Sequence, residues 1–434
     1  MSDFHEAMGH LQQLRRKFEG LLERARKKAI SPLQASGEKA NRLREVTAFG
    51  SNPGNLRMSV YQPERLPRNS PVVVALHGCS QSAAEYDRGS GWSQLADRLG
   101  FAVVYPEQQP ANNPNNCFSW FLPGDTTRDQ GEALSIRQMV EHSIAVLHVD
   151  RQRVFITGLS AGGAMASVML ATYPEIFAGG AIIAGLPYGC ARTVQQAFEA
   201  MFGEQSMAES ALGDRVRAAS NHSGPWPKIS VWHGTADPIV KPANGEEIVR
   251  QWTDLHGLAA APSYAEAIGG HTRRVWSDAE GETLIEAFSI SGMAHGVPLA
   301  TSGEDAYGAV GAFFLDAGIS STHRIASFWR LSEDSAAMPR AAAAAPAAIR
   351  SHPRAFAAVG GEALVGVSDS EAPSFAADAN ETHRLDPKHV IAKAFQAAGL
   401  PVPEFANMPP GTASHIDPGA IIKAALKAAG FRRN

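Results

Sequence analysis

The sequence is poor in the features that mark several protein classes. Its 434 residues include three cysteines, carry a formal net charge of −4 and are only 19% charged. So small a charge argues against general nucleic-acid binding, and three cysteines give no clear redox signal. No run approaches the roughly 18 apolar residues of a membrane-spanning helix. With 44% hydrophobic residues, the composition is that of a globular protein with a substantial core.

Signals for cofactors and for export are also missing. No group of residues has the spacing of a metal site, and no glycine-rich phosphate loop occurs, so we expect no metal and no other cofactor. The first residues mix acidic and basic side chains and lack the apolar centre of a secretory signal. We therefore expect a cytoplasmic location, with a granule-associated form and signal-independent export left open.

Residues 153–165 predict a catalytic serine. An apolar strand leads into the turn Gly158-Leu-Ser-Ala-Gly162, and a helix of small residues follows. This is the order of a nucleophile elbow, which exposes a serine on a strained turn. Both glycines stand where a side chain would clash with a neighbouring strand or helix. We expect Ser160 to be the nucleophile; the alternative is an ordinary turn in which it caps the helix.

Two downstream loops predict the partners of this serine. Asp237 follows the apolar strand 229–232, and His295 follows the strand 284–290, each after a loop that contains glycine. Sites in open α/β sheets form at the carboxyl ends of strands, and the chain order Ser, Asp, His is that of α/β-hydrolases. The simpler alternatives are a turn cap before Pro238 and a surface histidine.

Three other histidines compete for the role of base. His77 and His233 stand at strand ends beside glycines, where shaping a loop is the better explanation. His271 follows two glycines ahead of a strand, which suits a turn.

An oxyanion hole needs two backbone N–H donors. We expect one at Ala161, directly after the nucleophile. We expect the other at Cys79, because the apolar strand 72–76 ends in His-Gly and Gly78 lets the backbone turn sharply.

Several longer motifs occur together and in order. They are Leu76-His-Gly-Cys-Ser-Gln81, the segment 91–107, Cys117-Phe-Ser-Trp-Phe121 and Gly158-Leu-Ser-Ala-Gly-Gly-Ala-Met165. With these motifs the chain resembles the poly(3-hydroxybutyrate) depolymerase family of esterases, which is similar to feruloyl and acetylxylan esterases. The resemblance covers about residues 45–330. It implies an α/β-hydrolase fold, the same triad and the same oxyanion donors.

The resemblance carries further expectations near the active-site mouth. It suggests a disulfide between Cys79 and Cys117, with buried free thiols as the alternative, since a reducing cytoplasm opposes a disulfide. It also places Trp120 and Phe118, together with Phe121, near the acyl pocket as substrate-binding residues.

The chain departs from the secreted members of the family. Those usually carry a signal peptide and a polymer-binding domain, and neither is recognisable here. They often have a tryptophan soon after the catalytic histidine, whereas this chain reads His295-Gly-Val-Pro298. Both departures argue against extracellular attack on solid polymer.

Strand signals recur at residues 56–61, 72–76, 102–105, 154–157, 180–184, 229–232 and 284–290, with helical patterns that include 131–147 and 243–256. Strands alternating with helices predict an α/β fold with a mainly parallel sheet covered on both faces. We divide the chain into an amphipathic helix and linker (1–44), an α/β-hydrolase catalytic domain (45–330), an alanine- and proline-rich linker (331–380) and a short helical repeat extension (381–434).

The two terminal segments leave alternatives open. The N-terminal helix has an apolar stripe and a basic face, so it can bind an anionic or polyester granule surface, pair with a second subunit in a homodimer, or dock on its own catalytic domain. Residues 386–400 and 417–431 form the repeat, in which each copy begins with Asp-Pro and has Gly at its end. The simplest explanation for the apolar stripes of these two copies is that they pack within the chain or in a dimer.

These observations predict a serine esterase that hydrolyses poly- or oligo(3-hydroxyalkanoate) esters through a Ser-His-Asp triad and an acyl-enzyme. A feruloyl or acetyl esterase, and a hydrolase of artificial polyesters or amide-linked polymers, are the enzyme alternatives. A non-catalytic scaffold on a granule surface is the alternative from another class, and three intact triad candidates argue against it.

Overall fold

The computed structural model describes residues 2–29, 42–203 and 208–332. The strands are β1 Arg44–Val46, β2 Arg57–Tyr61, β3 Val72–Leu76, β4 Ala102–Glu107, β5 Val154–Leu159, β6 Gly179–Ile183, β7 Lys228–Gly234, β8 Tyr264–Ile268, β9 His271–Ser277, β10 Thr283–Ile290, β11 Val297–Leu299 and β12 Phe314–Asp316. The helices are α1 Ser2–Ala29, α2 Ala83–Ser90, α3 Trp92–Leu99, α4 Pro123–Thr126, α5 Gly131–Leu147, α6 Ala161–Thr172, α7 Val194–Met201, α8 Glu209–Arg217, α9 Ala243–His256 and α10 Ser321–Phe328.

A ten-stranded sheet organises the domain, in the order β1-β2-β4-β3-β5-β6-β7-β10-β9-β8. The strands from β4 to β10 in this order run parallel, and the outer strands on both sides pair antiparallel. Every residue of β3, β5 and β6 is buried, as expected for parallel strands covered by helices on both faces. The predicted α/β-hydrolase architecture is confirmed.

The buried central strands are the ones that the sequence predicts best. Strand β3 and helices α5 and α9 have the predicted bounds, and the other predicted strands differ by one or two residues at one or both ends. The sequence did not predict β8, in which four of five residues are exposed. Such an edge strand has no buried face and therefore no apolar alternation to reveal it.

The N-terminal helix α1 docks on the catalytic domain. Its residues Leu14, Phe18 and Leu22 are buried. The ring of Phe18 meets the ring of Phe198 on α7 edge to face at 5.6 Å, and the Lys17 ammonium lies 4.0 Å from the centre of the Phe202 ring. This packing corresponds to the intramolecular alternative, and binding to a granule surface or to a second subunit stays a prediction. Within the described ranges, no helix is both long and apolar enough to cross a membrane.

The catalytic domain continues to the end of the described residues. Trp329, just after α10, stacks on Phe155 of β5 at 4.9 Å and on Trp92 of α3 at 5.9 Å between ring centres. The chain divides into two units, Met1–Ala343 and Ala344–Asn434. Apart from residues 331 and 332, the predicted linker 331–380 and the repeat extension 381–434 lie outside the described residues.

Candidate active site

The turn between β5 and α6 holds Ser160 in a strained conformation. Its φ of 57° and ψ of −119° fall where a residue with a side chain is rarely found. A Cβ on Gly158 would lie 2.4 Å from the backbone of Gly162, and a Cβ on Gly162 would lie 2.4 Å from the carbonyl oxygen of Leu76. Both positions therefore require glycine. The Ser160 side chain makes no capping hydrogen bond to α6, so the turn-cap alternative is wrong.

Asp237 and His295 form a buried hydrogen-bonded pair. The Nδ1 atom of His295 lies 2.7 Å from Oδ2 of Asp237, and both side chains are at most 3% exposed. The second carboxylate oxygen of Asp237 accepts hydrogen bonds from the backbone N–H groups of Ile239 and Val240 at 2.8 and 3.0 Å. This geometry fixes the carboxylate, which in turn fixes the histidine ring with Nδ1 as the donor.

The charge of Asp237 is stabilised inside the protein. Burial alone would raise the pKa of this carboxyl group. The positive charge and hydrogen bond available from His295, and those from His233, outweigh burial and hold the pKa of Asp237 below its usual range. The group is therefore an ionised acceptor at neutral pH.

The three expected triad residues follow strands β5, β7 and β10, which belong to the same parallel array. Their loops thus lie at one edge of the sheet, where sites of α/β proteins form. The loops after β7 and β10 are also bonded to each other. The N–H of Ala236 donates to the carbonyl of Met293 at 3.0 Å, and Gly292 N–H donates to the Thr235 hydroxyl at 2.9 Å.

Two of the rival histidines support loops. His271 lies 2.8 Å from the carbonyl oxygen of Ala317 through Nε2 and accepts the N–H of Ser291 at Nδ1. His233 lies 2.9 Å from the carbonyl oxygen of Val240 and 3.4 Å from Asp237 Oδ2, both through Nε2. The contact between His233 and Asp237 was not predicted from the sequence, although their separation of four residues could have indicated it.

The third rival, His77, holds the loop of the expected oxyanion donor. Its Nε2 accepts the backbone N–H of Gln108 at 3.0 Å, and its Nδ1 lies 2.8 Å from the carbonyl oxygen of Gly78. These partners require the tautomer that carries hydrogen on Nδ1. Complete burial lowers the pKa of His77, so the ring is a neutral bridge between two loops.

The two expected oxyanion donors are available. Among the described residues, neither the amide of Cys79 nor that of Ala161 is bonded to an acceptor. Cys79 is tied to Cys117 by a disulfide across 38 positions of sequence. The structure thus joins the loop of residues 77–81, which we call the oxyanion loop after its expected role, to residues 117–121, which we call the aromatic segment.

The aromatic segment is largely buried. Trp120 is 7% exposed and meets Phe121 edge to face at 5.3 Å between ring centres. Phe118 has no exposed surface and packs against the His77 ring at 4.9 Å. The Phe118 ring thus supports the loop that contains His77 and Cys79, and its contact with substrate stays a prediction. Within the described residues, no three His, Cys, Asp or Glu side chains gather as metal ligands would.

The chain is similar to known esterases and depolymerases. A family model described as Esterase PHB depolymerase matches residues 57–276. Poly(3-hydroxyalkanoate) depolymerase C of Paucimonas lemoignei is 47% identical over 299 residues, which are 68% of this chain and 72% of that protein. An acetylxylan esterase of Coprinopsis cinerea is 35% identical over 60% of this chain and 70% of its own length. A solved acetyl xylan esterase from Aspergillus awamori matches with a TM-score of 0.55 and 29% identity, over 58% of this chain and 93% of that one.

Proposed function

Because this chain belongs to the PHB depolymerase family of esterases, we propose that it cleaves poly- or oligo(3-hydroxyalkanoate) esters through a triad of Ser160, His295 and Asp237. It is a carboxylic ester hydrolase, as its relatives are esterases and depolymerases. A non-catalytic scaffold on a granule surface is therefore not needed to explain the fold.

Acylation of the enzyme is the first half of the proposed reaction. The Ser160 hydroxyl attacks the ester carbonyl carbon while Nε2 of His295 takes its proton. The carbonyl π electrons move to oxygen, and the amides of Cys79 and Ala161 stabilise the resulting oxyanion. Asp237 orients the ring and stabilises its positive charge. The intermediate then expels the alkoxide of the next unit, which takes the proton from His295.

Deacylation completes the cycle. Water attacks the acyl-enzyme carbonyl while His295 again accepts a proton. The second tetrahedral intermediate expels the Ser160 oxygen, which recovers its proton from His295, and the hydroxyacid is released. No step requires a metal or an organic cofactor.

The buried 2.7 Å contact between Asp237 and His295 carries this proposal. A surface histidine would gain little from such a contact, whereas a general base needs a fixed tautomer and a partner for its positive charge. The pair lies at the sheet edge that also bears Ser160 on its strained turn.

The substrate class is supported by similarity. The depolymerase of Paucimonas lemoignei is 47% identical over 68% of this chain, and Trp120 is the residue that we propose to line the acyl pocket. Acetyl esters of polysaccharides are the second candidate substrate, because the solved acetyl xylan esterase is matched over 93% of its length.

Hydrolysis of a 3-hydroxybutyrate trimer, acetylated xylan and methyl ferulate by wild type and Ser160→Ala tests both parts of the proposal. We expect Ser160→Ala to lower the rate by at least about 10⁴-fold. Ser167→Ala is a matched control, because Ser167 is buried on the same helix α6, and it should keep the wild-type rate. An active Ser160→Ala would refute the triad. Turnover of acetylated xylan without turnover of the trimer would refute the substrate.

The disulfide and the predicted location are in conflict. A typical cytoplasm keeps thiols reduced, whereas the structure joins Cys79 to Cys117. We propose that the protein works where this bond persists. Alkylation of thiols during extraction from the native cells tests the point: one labelled cysteine, Cys190, supports an oxidising compartment, and three labelled cysteines support the cytoplasm.

A further inference from the structure

A buried carboxyl group lies beneath the aromatic segment, and the proposed reaction does not use it. Glu132, at the start of α5, is 1% exposed. Its Oε2 accepts the backbone N–H of Ser119 at 2.9 Å, and its Oε1 accepts the side-chain amide of Gln108 at 2.6 Å. The turn at Gly54 seals it from outside, since a Cβ there would lie 2.5 Å from the Cα of Glu132.

The contacts of Glu132 lead to both walls of the site. Ser119 directly precedes Trp120 in the aromatic segment. The Gln108 side-chain amide that donates to Glu132 also donates to the carbonyl of Cys117 at 3.2 Å, and the Gln108 backbone N–H donates to Nε2 of His77. The opposite nitrogen of His77 contacts the Gly78 carbonyl, one residue before Cys79. A continuous chain of hydrogen bonds thus connects Glu132 to the oxyanion loop.

Glu132 is held there at an electrostatic cost. Burial raises the pKa of Glu132 to about 7, while the hydrogen bonds from Ser119 and Gln108 oppose the rise. The negative charge of Asp125, on α4, raises the pKa further, and Oδ1 of Asp125 accepts the backbone N–H of Glu132 at 3.2 Å. A buried acid that accepts two hydrogen bonds in this setting is an unfavourable choice for stability alone.

We propose that Glu132 is a positioning residue for ester hydrolysis, which sets the Cys79 amide through Gln108 and His77 and sets Trp120 through Ser119. This inference rests on the proposed role of the Cys79 amide as an oxyanion donor. A carboxylate suits the role because each of its two oxygens accepts from a different donor. A glutamine at this position has one acceptor oxygen and can serve only one of them.

The test is steady-state hydrolysis of p-nitrophenyl butyrate by the full chain carrying Glu132→Gln. An oxyanion donor acts in the transition state, so its displacement lowers kcat and leaves KM nearly unchanged. We expect kcat to fall about 10-fold. Complete removal of an oxyanion donor lowers kcat by roughly 10²- to 10³-fold, and a displaced donor keeps part of its effect. Glu132→Asp keeps the charge but is too short to reach both donors, so it should also lower kcat; it serves if the glutamine variant does not fold.

Glu286→Gln is the matched control. Glu286 is a buried glutamate of β10 that bonds to Ser230 and Arg273, outside the site, so its loss should leave kcat unchanged. Wild-type kcat in Glu132→Gln, or an equal loss of kcat in Glu286→Gln, would overturn the inference. An inactive Ser160→Ala together with a fully active Glu132→Gln would refute only the positioning role, whereas an active Ser160→Ala would refute the proposed function itself.

Discussion

Replacing Glu132 by glutamine should change the free energy of unfolding by an amount that depends on pH. The ordinary pKa of a glutamate is 4.5, and burial raises that of Glu132 to about 7. Between these two values the native state keeps a proton that the unfolded state releases. Stability therefore falls as the pH rises through this window, and the full penalty is present above pH 7. Glutamine cannot ionise and does not suffer this loss.

The magnitude follows from the width of the window. The difference between the ordinary pKa of 4.5 and a pKa of about 7 corresponds to about 3 kcal/mol in the free energy of unfolding. Because Glu132 is 1% exposed, solvent screening does not reduce this figure much. Most of this change falls between about pH 5 and pH 8. Over this range we expect the free energy of unfolding of the wild type to fall by about 2.5 kcal/mol relative to that of Glu132→Gln.

Urea unfolding followed by tryptophan fluorescence at pH 5 and pH 8 measures this difference. The matched control is Ser135→Ala, one turn further along α5, which removes a 2.8 Å hydrogen bond from the Gly54 N–H but no ionising group. Its stability difference from wild type should be the same at both pH values. The reasoning is refuted if the effect of Glu132→Gln is equally independent of pH.

Three further predictions concern the rest of the domain. Asp237→Asn should lower kcat about 10⁴-fold without unfolding the protein, because the His295 ring loses its tautomer and its counter-charge; a small loss in initial-rate assays would contradict the triad. Cys117→Ser should lower the free energy of unfolding by about 4 kcal/mol, from the loop that its bond with Cys79 closes, and a reductant should destabilise only the wild type. Trp329→Ala should cost about 3–5 kcal/mol in urea unfolding, whereas a cost near zero would place the end of the domain before this residue.

The nucleophile loop was predictable because its constraints are local. Gly158, Ser160 and Gly162 lie within five positions, and each glycine is required by a close approach that any elbow of this kind imposes. The proposed acid Asp237 and the proposed base His295 were predictable for a related reason. Each follows an apolar strand, and the carboxyl ends of parallel strands meet at one edge of the sheet.

The network around Glu132 was not predictable, because its burial is set by distant parts of the chain. An acidic residue in the first turn of a helix ordinarily faces solvent and favours the helix dipole. Here the turn at Gly54, far away in sequence, covers it, and Ser119 and Gln108 supply the donors. The burial of Phe118 has the same origin. The motif places this ring close to the site, but only its packing against His77 shows that it has no exposed surface.

These contacts divide the active-site edge into two bonded pairs of loops. The acid loop and the base loop are joined by the bond from Ala236 to Met293. The oxyanion loop and the aromatic segment are joined by the disulfide of Cys79 and by the chain of hydrogen bonds that ends at Glu132. Ser160 stands between the pairs on a turn fixed by its own strand and helix. In the proposed mechanism, proton transfer and oxyanion stabilisation thus depend on separate supports. Damage to the Glu132 support should therefore reduce oxyanion stabilisation while the Asp237–His295 pair stays intact.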